Sequence, residues 1–384
     1  GTRIMGGHDA ASPRYIHTEL NKIVTLLYPA SDFPLLSYND DDGVPVEPKQ
    51  YVPIIPMVLV NGMTGIGTGF STSIPCYAIK DVIDNVKRRL KGRPYKKILP
   101  SSRGFKGKIV EIDLKNYLSK GRYETLSPTR LRITELPLGK WTDDYKKFLD
   151  SLLPETNESK SKKKETKKKK EKKTILDYTN NSSDTEIDFT IHLPVGMINS
   201  LQWSEDPNID GIEKFFKLTT TKGLSLTNMH LYNNKGQVTR YNSINEMYDE
   251  FYEERYALYV KRKKYILRNL SNELLILQSK VRFIHDVINE EIIIYKQKKA
   301  AILQTLIERK YLQVKDRMVL TEGAKYLPSN YDYLVKMSLY AFTEEEITKL
   351  ETEMKKLQAQ YSELEKKTIE EIWLSECNAL KKAL

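Results

Sequence analysis

Two runs of regularly spaced apolar residues in the last third of the chain constrain its fold more than any other feature. Apolar side chains recur there at spacings of three and four, at Leu267, Leu270, Leu274, Leu277, Val281, Ile284 and Ile288, and at Ile347, Leu350, Met354, Leu357, Tyr361 and Leu364. This heptad spacing predicts two long helices that pair side by side. Thr343 and Glu346 match a capping box at the start of the second helix.

The first of these helices is predicted from about 245 to 296, which corresponds to roughly 75 Å at 1.5 Å per residue. Such a helix is too long for the core of an ordinary domain and serves as a spacer. The residues between the two seams, from 296 to 342, are shorter and irregular. We therefore predict an antiparallel coiled coil with a small helical domain at its tip.

A second informative stretch lies near the first residue, at Ser12-Pro13-Arg14-Tyr15. Ser12 is a good N-cap and Pro13 suits the first helical position. An apolar face follows at Ile16, Leu20, Ile23, Val24 and Leu27. The pattern predicts a helix ended by Pro29, with Arg14 and Tyr15 in a first turn that favours phosphate.

The chemistry of an Arg-Tyr pair at such a position suits attack on a phosphodiester. Tyrosine, with a pKa of about 10, is a weak nucleophile unless a base, a metal ion or a cationic neighbour assists it. The guanidinium of Arg14 could bind a phosphate bidentately. The alternative is a plain surface pair, which the presence of 24 tyrosines makes reasonable for the dipeptide alone.

The surrounding residues resemble the breakage–rejoining region of eukaryotic-type type IIA DNA topoisomerases. The resemblance follows the chain in order through Gly6-Gly7-His8-Asp9-Ala10-Ala11-Ser12-Pro13-Arg14-Tyr15, Tyr51-Val52-Pro53-Ile54-Ile55-Pro56, Gly65-Ile66-Gly67-Thr68-Gly69, Phe105-Lys106-Gly107, Glu135-Leu136-Pro137 and Trp141-Thr142. It implies that Tyr15 bonds covalently to a DNA 5′ phosphate and that Arg14 stabilises the transition state.

A glycine-rich stretch, Gly62 to Gly69, presents one bulky apolar side chain, Ile66. It lacks the spacing of a nucleotide-binding loop. Ile66 could be a buried anchor for the loop; the resemblance implies instead that it intercalates between base pairs and bends the duplex. The preceding residues 52–60 are apolar but broken by prolines, which predicts a bent or edge β segment. Residues 79–90 form an amphipathic pattern that predicts a helix with a basic end.

The middle of the chain is predicted to be β-rich, with strands near 107–112, 130–133, 186–191 and 216–218. This region resembles the family's tower domain. Trp141 matches a DNA-contacting tryptophan there, although a core position under the Leu136-Pro137 turn is an alternative. Residues 156–173 hold ten Lys against three Glu and are predicted to be disordered.

Composition fits a nucleic-acid partner without proving one. The formal charge is +11, and much of it lies in the Lys-rich run. The two cysteines have no disulfide or metal spacing, and no apolar run approaches the length of a membrane span. The acidic stretch Asp40-Asp41-Asp42 could suggest Mg²⁺, but a solvated turn is the better interpretation.

These inferences predict an α+β multidomain protein. Residues 1–98 are expected to be part of a winged-helix-type module with the active-site tyrosine, 99–244 a tower domain, and 245–384 the coiled coil and a gate domain. The resemblance implies double-stranded DNA as substrate, a homodimer with contacts near 331–340, and no membrane. It places Mg²⁺ binding and ATPase domains upstream of this chain, so no residue here is expected to bind metal or ATP and isolated cleavage should be poor.

Two rival functions are alternatives to this prediction. A non-catalytic DNA-binding coiled-coil scaffold would make Tyr15 incidental. A tyrosine recombinase would need an H-x-x-R box, and none of the five histidines is followed by Arg at the third position. His8 replaces a lysine usual in the family, which suggests a divergent branch such as that of large cytoplasmic DNA viruses. The protein is expected in the nucleus if cellular and in the host cytoplasm if viral.

Overall fold

A computed structural model describes residues 1–154, 174–201, 203–320 and 327–384. The Lys-rich run 156–173 lies outside these residues, so its predicted disorder stays a prediction. The described chain forms two compact units. Unit 1 comprises Gly1–Leu27, Pro53–Glu254 and Ala379–Leu384, and unit 2 comprises Tyr28–Val52 and Arg255–Asn378. The predicted boundary near 244 lies close to the junction after Glu254, whereas none of these junctions falls at the predicted boundary of 98. The three predicted domains therefore stay predictions.

Helices and strands are both abundant, which confirms the α+β class. The α-helices in the described ranges are α1 (Val24–Leu27), α2 (Met57–Asn61), α3 (Ile79–Leu90), α4 (Thr142–Asp150), α5 (Met197–Leu201), α6 (Gly211–Phe215), α7 (Ile244–Ile288), α8 (Lys299–Glu308), α9 (Asp332–Val335), α10 (Glu344–Lys366) and α11 (Ile369–Ala383). The helix predicted from 245 to 296 therefore exists but ends at Ile288.

The strands are short and antiparallel. They are β1 (Tyr38–Asp41), β2 (Val44–Pro48), β3 (Met63–Gly67), β4 (Phe70–Ile74), β5 (Lys108–Glu111), β6 (Tyr117–Lys120), β7 (Arg122–Ser127), β8 (Arg130–Glu135), β9 (Asp177–Asn180), β10 (Phe189–His192), β11 (Thr219–Thr220), β12 (Met229–Tyr232), β13 (Val238–Tyr241), β14 (Val314–Lys315) and β15 (Met318–Val319). Among the described residues, one sheet has the order β7-β8-β10-β9 and another β11-β6-β5, and the remaining strands form four hairpins.

A large core of unit 1 forms where α4 packs on the four-stranded sheet. Leu131, Ile133, Phe189 and Ile191 alternate toward it along two paired strands and are fully buried beside Leu149 of α4. This period-2 alternation is what predicted the strands near 130–133 and 186–191. The strand predicted at 216–218 is wrong: those residues follow α6, and a strand begins only at Thr219.

Two further predictions for unit 1 have opposite outcomes. The amphipathic helix over Ile79–Leu90 is confirmed, with Val82, Ile83 and Val86 buried along one face. The β segment predicted at 52–60 is wrong, because Met57–Asn61 is helical. Pro53 and Pro56 precede this helix and do not bend a strand. Proline is tolerated before a helix and in its first turn, because the N–H groups there have no partner within the helix.

In unit 2 the two predicted long helices run antiparallel. The Lys263 ammonium donates to the Glu365 carbonyl of α10 at 3.0 Å, whereas His285 lies 3.8 Å from Glu351 of α10 much farther along α7. Residue numbers thus rise on α7 as they fall on the partner. The predicted capping box does not form, since Thr343 makes no side-chain cap and its hydroxyl donates to the Tyr340 carbonyl.

A buried charge cluster holds the base of unit 2 together. Asp32 is 2.7 Å from Arg255 and 3.4 Å from Arg262, and Arg262 also lies 2.6 Å from Glu376. The Tyr259 ring lies 4.2 and 4.3 Å from the two guanidinium carbons, and its hydroxyl donates to Glu376. Since both arginines are paired, the cluster satisfies the requirement that buried charge be compensated.

Candidate functional site

The segment around Tyr15 is a loop, not the predicted helix. Pro13–Tyr15 forms one turn of 3-10 helix, Ser12 makes no side-chain cap, and Ile16 is extended at φ −118° and ψ 128°. Ile16 and Leu20 are exposed, so the expected apolar face has no core to pack against. An isolated helix of this length is marginal without such packing. The phosphate site expected from a helix N-terminus therefore does not exist here.

Tyr15 and Arg14 are nevertheless accessible and adjacent. The tyrosine is 73% exposed, and the Arg14 guanidinium carbon lies 4.8 Å from the centre of its ring. In the part of the chain that the structure describes, Arg14 has no carboxylate within ion-pairing distance. An exposed hydroxyl beside an uncompensated cation is open to an approaching anion.

The N-terminal loop, residues 1–16, is anchored at its start by a buried ion pair. Arg3 donates both terminal nitrogens to Glu135, whose side chain is 1% exposed. Glu135 also accepts the backbone N–H groups of Lys106 and Leu136, at 3.0 and 2.9 Å. The carboxylate of Glu135 thus connects the loop to the end of β8 and to the segment around Lys106.

Hydrogen bonds within the loop close its first turn. The Asp9 carboxylate accepts the backbone N–H of Thr2 at 2.9 Å and the Thr2 hydroxyl at 2.7 Å. These bonds, the backbone one first, lower the pKa of Asp9 below its ordinary value. The Gly7 N–H also donates to the Thr2 carbonyl at 2.9 Å. The first part of the loop that leads from Arg3 to Tyr15 is therefore held in place by hydrogen bonds.

Trp141 contacts this loop directly. The ring lies against the backbone of Gly6, where an added Cβ would come within 2.2 Å of a ring carbon. The tryptophan is half-buried and immediately precedes α4. The core position under the Leu136-Pro137 turn is therefore not what the structure shows, and a contact to DNA stays a prediction.

Ile66 stands on a hairpin formed by β3 and β4, which we call the Ile66 hairpin. Its side chain is 93% exposed, so the alternative of a buried anchor is wrong. Gly62 precedes the hairpin at φ +65°, and an added Cβ there would lie 2.6 Å from the Cys76 sulfur. Only glycine allows this close approach, which sets the direction in which the hairpin leaves α2.

Acidic residues do not form a metal site in the described ranges. No group of three or more His, Cys, Asp or Glu side chains is close enough there to hold an ion. The run Asp40-Asp41-Asp42 lies at the turn of β1 and β2, where the Gly43 N–H donates to Asp40 at 2.9 Å. This carboxylate stabilises a turn, so the residues described do not fit Mg²⁺.

Comparison with known proteins shows the family of this chain. The family model for the A subunits of DNA gyrase and topoisomerase IV matches residues 1–378. The chain belongs to this family. It is 36% identical to DNA topoisomerase 2 of Arabidopsis thaliana over 100% of this chain and 26% of that relative, and 33% identical to DNA topoisomerase 2 of Acanthamoeba polyphaga mimivirus over 98% of this chain and 32% of that relative.

A solved structure supports the same topoisomerase fold. The DNA-binding, cleavage and re-ligation domain of Plasmodium falciparum topoisomerase II aligns with a TM-score of 0.80 and 34% identity, over 100% of this chain and 51% of that chain. The chain thus spans only part of its topoisomerase relatives. Within the described residues no helix is both long and apolar enough to cross a membrane.

The sequence motifs identified the exposed groups of this topoisomerase segment but missed its supports. Arg3 and Glu135 are 132 positions apart, and nothing in the local pattern pairs them. Glu135 could have been suspected, because a charged residue at the end of an alternating apolar strand needs a partner when buried. The structure gives that partner.

Proposed function

We propose that this chain carries the DNA breakage and rejoining step of a type II topoisomerase, with Tyr15 as the nucleophile. The observation that carries the proposal is the exposed Tyr15 beside the Arg14 guanidinium, which has no carboxylate partner among the described residues, in a chain of the topoisomerase family. The product of duplex passage through the break would be relaxed or decatenated DNA.

The chemistry exchanges one phosphate ester for another. The Tyr15 oxygen forms a bond to phosphorus and loses its proton to solvent, while the bond to the 3′ oxygen of the neighbouring sugar breaks. That oxygen leaves with a proton as a 3′ hydroxyl, and the DNA 5′ phosphate stays on Tyr15. Because the tyrosyl ester is activated by its aryl oxygen, the 3′ hydroxyl can attack it and reseal the strand without ATP.

Arg14 is proposed to bind the reacting phosphate. Its planar guanidinium can donate two hydrogen bonds to phosphate oxygens as charge develops in the transition state. Its stacking beside the Tyr15 ring keeps the cation close to the attacking oxygen. A bidentate contact of this kind cannot be reproduced by lysine.

Mg²⁺ and ATP are proposed as requirements of the intact enzyme only. Both are proposed to bind to other parts of a longer protein; the described residues of this chain bring together no group of three or more His, Cys, Asp or Glu side chains that could hold an ion. A bound Mg²⁺ would supply charge stabilisation at the phosphate. This chain binds, orients and reseals the strand through its own side chains.

Ile66 and Trp141 are proposed as DNA contacts. A 93% exposed isoleucine at a hairpin can insert between base pairs, at a cost of a few kcal/mol that wider DNA contact offsets. Trp141 lies beside the N-terminal loop and can contact the strand that reaches Tyr15.

A homodimer is proposed through the tip of the helical pair. Within the predicted 331–340 patch, Tyr331 and Leu334 belong to the tip core and are buried, whereas Leu339 and Tyr340 are each 79% exposed. We therefore propose Leu339 and Tyr340 as the residues of this patch that contact the second protomer. The nucleus is the proposed location for a cellular source and the host cytoplasm for a viral one; a mimivirus topoisomerase is among the similar proteins.

The test is covalent trapping with a matched tyrosine control. In a longer protein that includes the upstream metal-binding part, Tyr15→Phe should abolish denaturant-resistant protein–DNA adducts and retain DNA binding. Tyr232, which is 76% exposed, is the control, and Tyr232→Phe should form adducts normally. Adducts that persist in Tyr15→Phe would contradict the mechanism and require a different nucleophile. An unsubstituted longer protein that binds DNA but forms no adducts would favour the scaffold function.

A further inference from the structure

The backbone directly opposite Ile66 is held by the next hairpin of unit 1. In the pairing of β3 with β4, Ile66 faces Ser71. The outer side of β4 contacts β12, where the Ser73 N–H donates to the Asn228 carbonyl at 2.7 Å and the His230 N–H donates to the Thr72 hydroxyl at 3.1 Å. The Ile66 hairpin is therefore braced along the edge that lies across from its exposed side chain.

His230 forms the central contact of this brace. Its Nδ1 lies 3.1 Å from the Ser71 carbonyl oxygen and 3.0 Å from Asn228 Oδ1. Both neighbours are acceptors, and the carbonyl cannot donate, so Nδ1 must carry the proton. The ring also lies 5.8 Å from the Phe70 ring, and Asn228 donates to the Ser71 hydroxyl at 2.9 Å.

We infer that His230 is a positioning residue for Ile66, holding the Ser71 backbone so that the isoleucine enters the duplex as a rigid wedge. This inference rests on the proposed insertion of Ile66 into DNA. A two-stranded hairpin alone is marginally stable, and inserting a side chain between stacked bases pushes back on it. The hydrogen bond from His230 Nδ1 holds the carbonyl of Ser71, the residue paired with Ile66, and so resists displacement of the hairpin when Ile66 inserts.

A rigid wedge also has a consequence for the choice of DNA step. Pyrimidine–purine steps are the easiest to unstack and kink. If the hairpin cannot yield, the cost of distortion falls on the DNA, and stiff steps are rejected. A loosened hairpin shares the distortion and discriminates less. His230 should therefore sharpen the preference for flexible steps as well as increase bending.

The experiment measures duplex bending by energy transfer between dyes at the two ends of a short DNA, using the whole chain. His230→Val introduces a residue that favours strands but removes the donor. His230→Asn places an amide N–H near the position of Nδ1 and serves as the conservative control. Asn228→Ala is the second variant, which removes the side-chain partner shared by His230 and Ser71. Tyr232→Phe is the control for the exposed surface of β12.

Losing one hydrogen bond to a neutral carbonyl should lower the bent-to-straight ratio of bound DNA about three- to tenfold in His230→Val. Asn228→Ala should lower it in the same direction, His230→Asn should restore it, and the preference for a flexible over a stiff central step should shrink with it. In an Ile66→Ala background His230→Val should have no further effect, because the wedge on which it acts is gone.

Additive effects of Ile66→Ala and His230→Val would overturn the inference, as would a His230→Val protein that bends DNA normally. Unchanged bending in Ile66→Ala would overturn it too, by removing the wedge. These outcomes are separable from a failure of the proposed chemistry, because bending needs no attack by Tyr15. Adduct trapping with Tyr15→Phe reports on that chemistry alone.

Discussion

Replacing Arg3 with alanine tests whether the N-terminal loop owes its position to the buried carboxylate of Glu135. The substitution removes both guanidinium donors to Glu135, whose side chain is 1% exposed. The side chain of Arg3 is 22% exposed. Breaking a buried ion pair by removing one partner typically costs about 3–5 kcal/mol. Two backbone N–H groups still donate to Glu135, and Arg3 is partly solvated, so the expected cost is about 2–3 kcal/mol.

The assay is urea unfolding at neutral pH, with the loss read from the midpoint at constant slope. Arg122→Ala is the matched control, because its ion pair with Glu124 is exposed on both sides and should contribute about 0–1 kcal/mol. Adduct formation by the longer protein should fall further than DNA binding in Arg3→Ala, since the loop that carries Tyr15 loses its anchor.

An Arg3→Ala protein no less stable than Arg122→Ala would refute this reasoning, because the burial of Glu135 would then carry no cost. Normal adduct formation with reduced stability would refute only the link from the anchor to Tyr15. Glu135→Gln separates charge from hydrogen bonding, since the amide oxygen can still accept one backbone N–H. It should be milder than Arg3→Ala, because no unpaired charge remains buried.

Three further predictions concern stability. Asp32→Asn should destabilise unit 2 by about 3–5 kcal/mol because it removes the carboxylate that pairs with the fully buried Arg255, whereas Asp332→Asn, whose partner Lys336 is 71% exposed, should cost about 0–1 kcal/mol in the same thermal melt. Gly62→Ala should cost more than Gly92→Ala: both positions have φ +65°, but only the Cβ at Gly62 would clash, at 2.6 Å from a sulfur, and equal midpoints in urea would contradict this. The lowered pKa of Asp9 stabilises the folded loop above the unfolded value of about 3.9 and the effect is lost as pH falls through the lower folded pKa, so an acid titration of loop signals by NMR should change in Asp9→Asn.

Regular patterns were the part of the fold that the sequence predicted well. Helix α3 and the strands around Ile133 and Phe189 each bury one periodic face, so the pattern and the packing agree. The seam of α7 is buried at Leu274, Leu277 and Ile284, whereas the seam of α10 is only half-buried. The end of α7 was placed too late. The apolar residues continue past Ile288, but they fold back into the core of the tip: Ile292 packs beside Phe283.

Local propensity failed where tertiary contacts decide the structure. Ser12 and Pro13 are favourable helix starters, yet no surface receives the face of Ile16 and Leu20, and the chain stays extended. Thr343 has the right neighbour for a capping box, but its hydroxyl bonds to a preceding carbonyl. The first helix thus lacks a surface to pack against and the capping box loses to a competing hydrogen bond, and the local sequence reveals neither.

Sequence motifs identified exposed side chains of the candidate site, but not the contacts that hold their segments in place. Tyr15, Arg14 and Ile66 were identified by motifs, and each is accessible. The contacts of Arg3 with Glu135 and of His230 with Ser71 join residues more than 100 positions apart, so no local pattern could reveal them.

The most direct test of the proposed chemistry is to map the covalent link itself. The longer protein is incubated with duplex DNA, trapped with denaturant, digested, and sequenced by mass spectrometry. We predict a nucleotide joined through its 5′ phosphate to the peptide that contains Tyr15. A nucleotide on another residue, or one joined through a 3′ phosphate, would contradict that prediction.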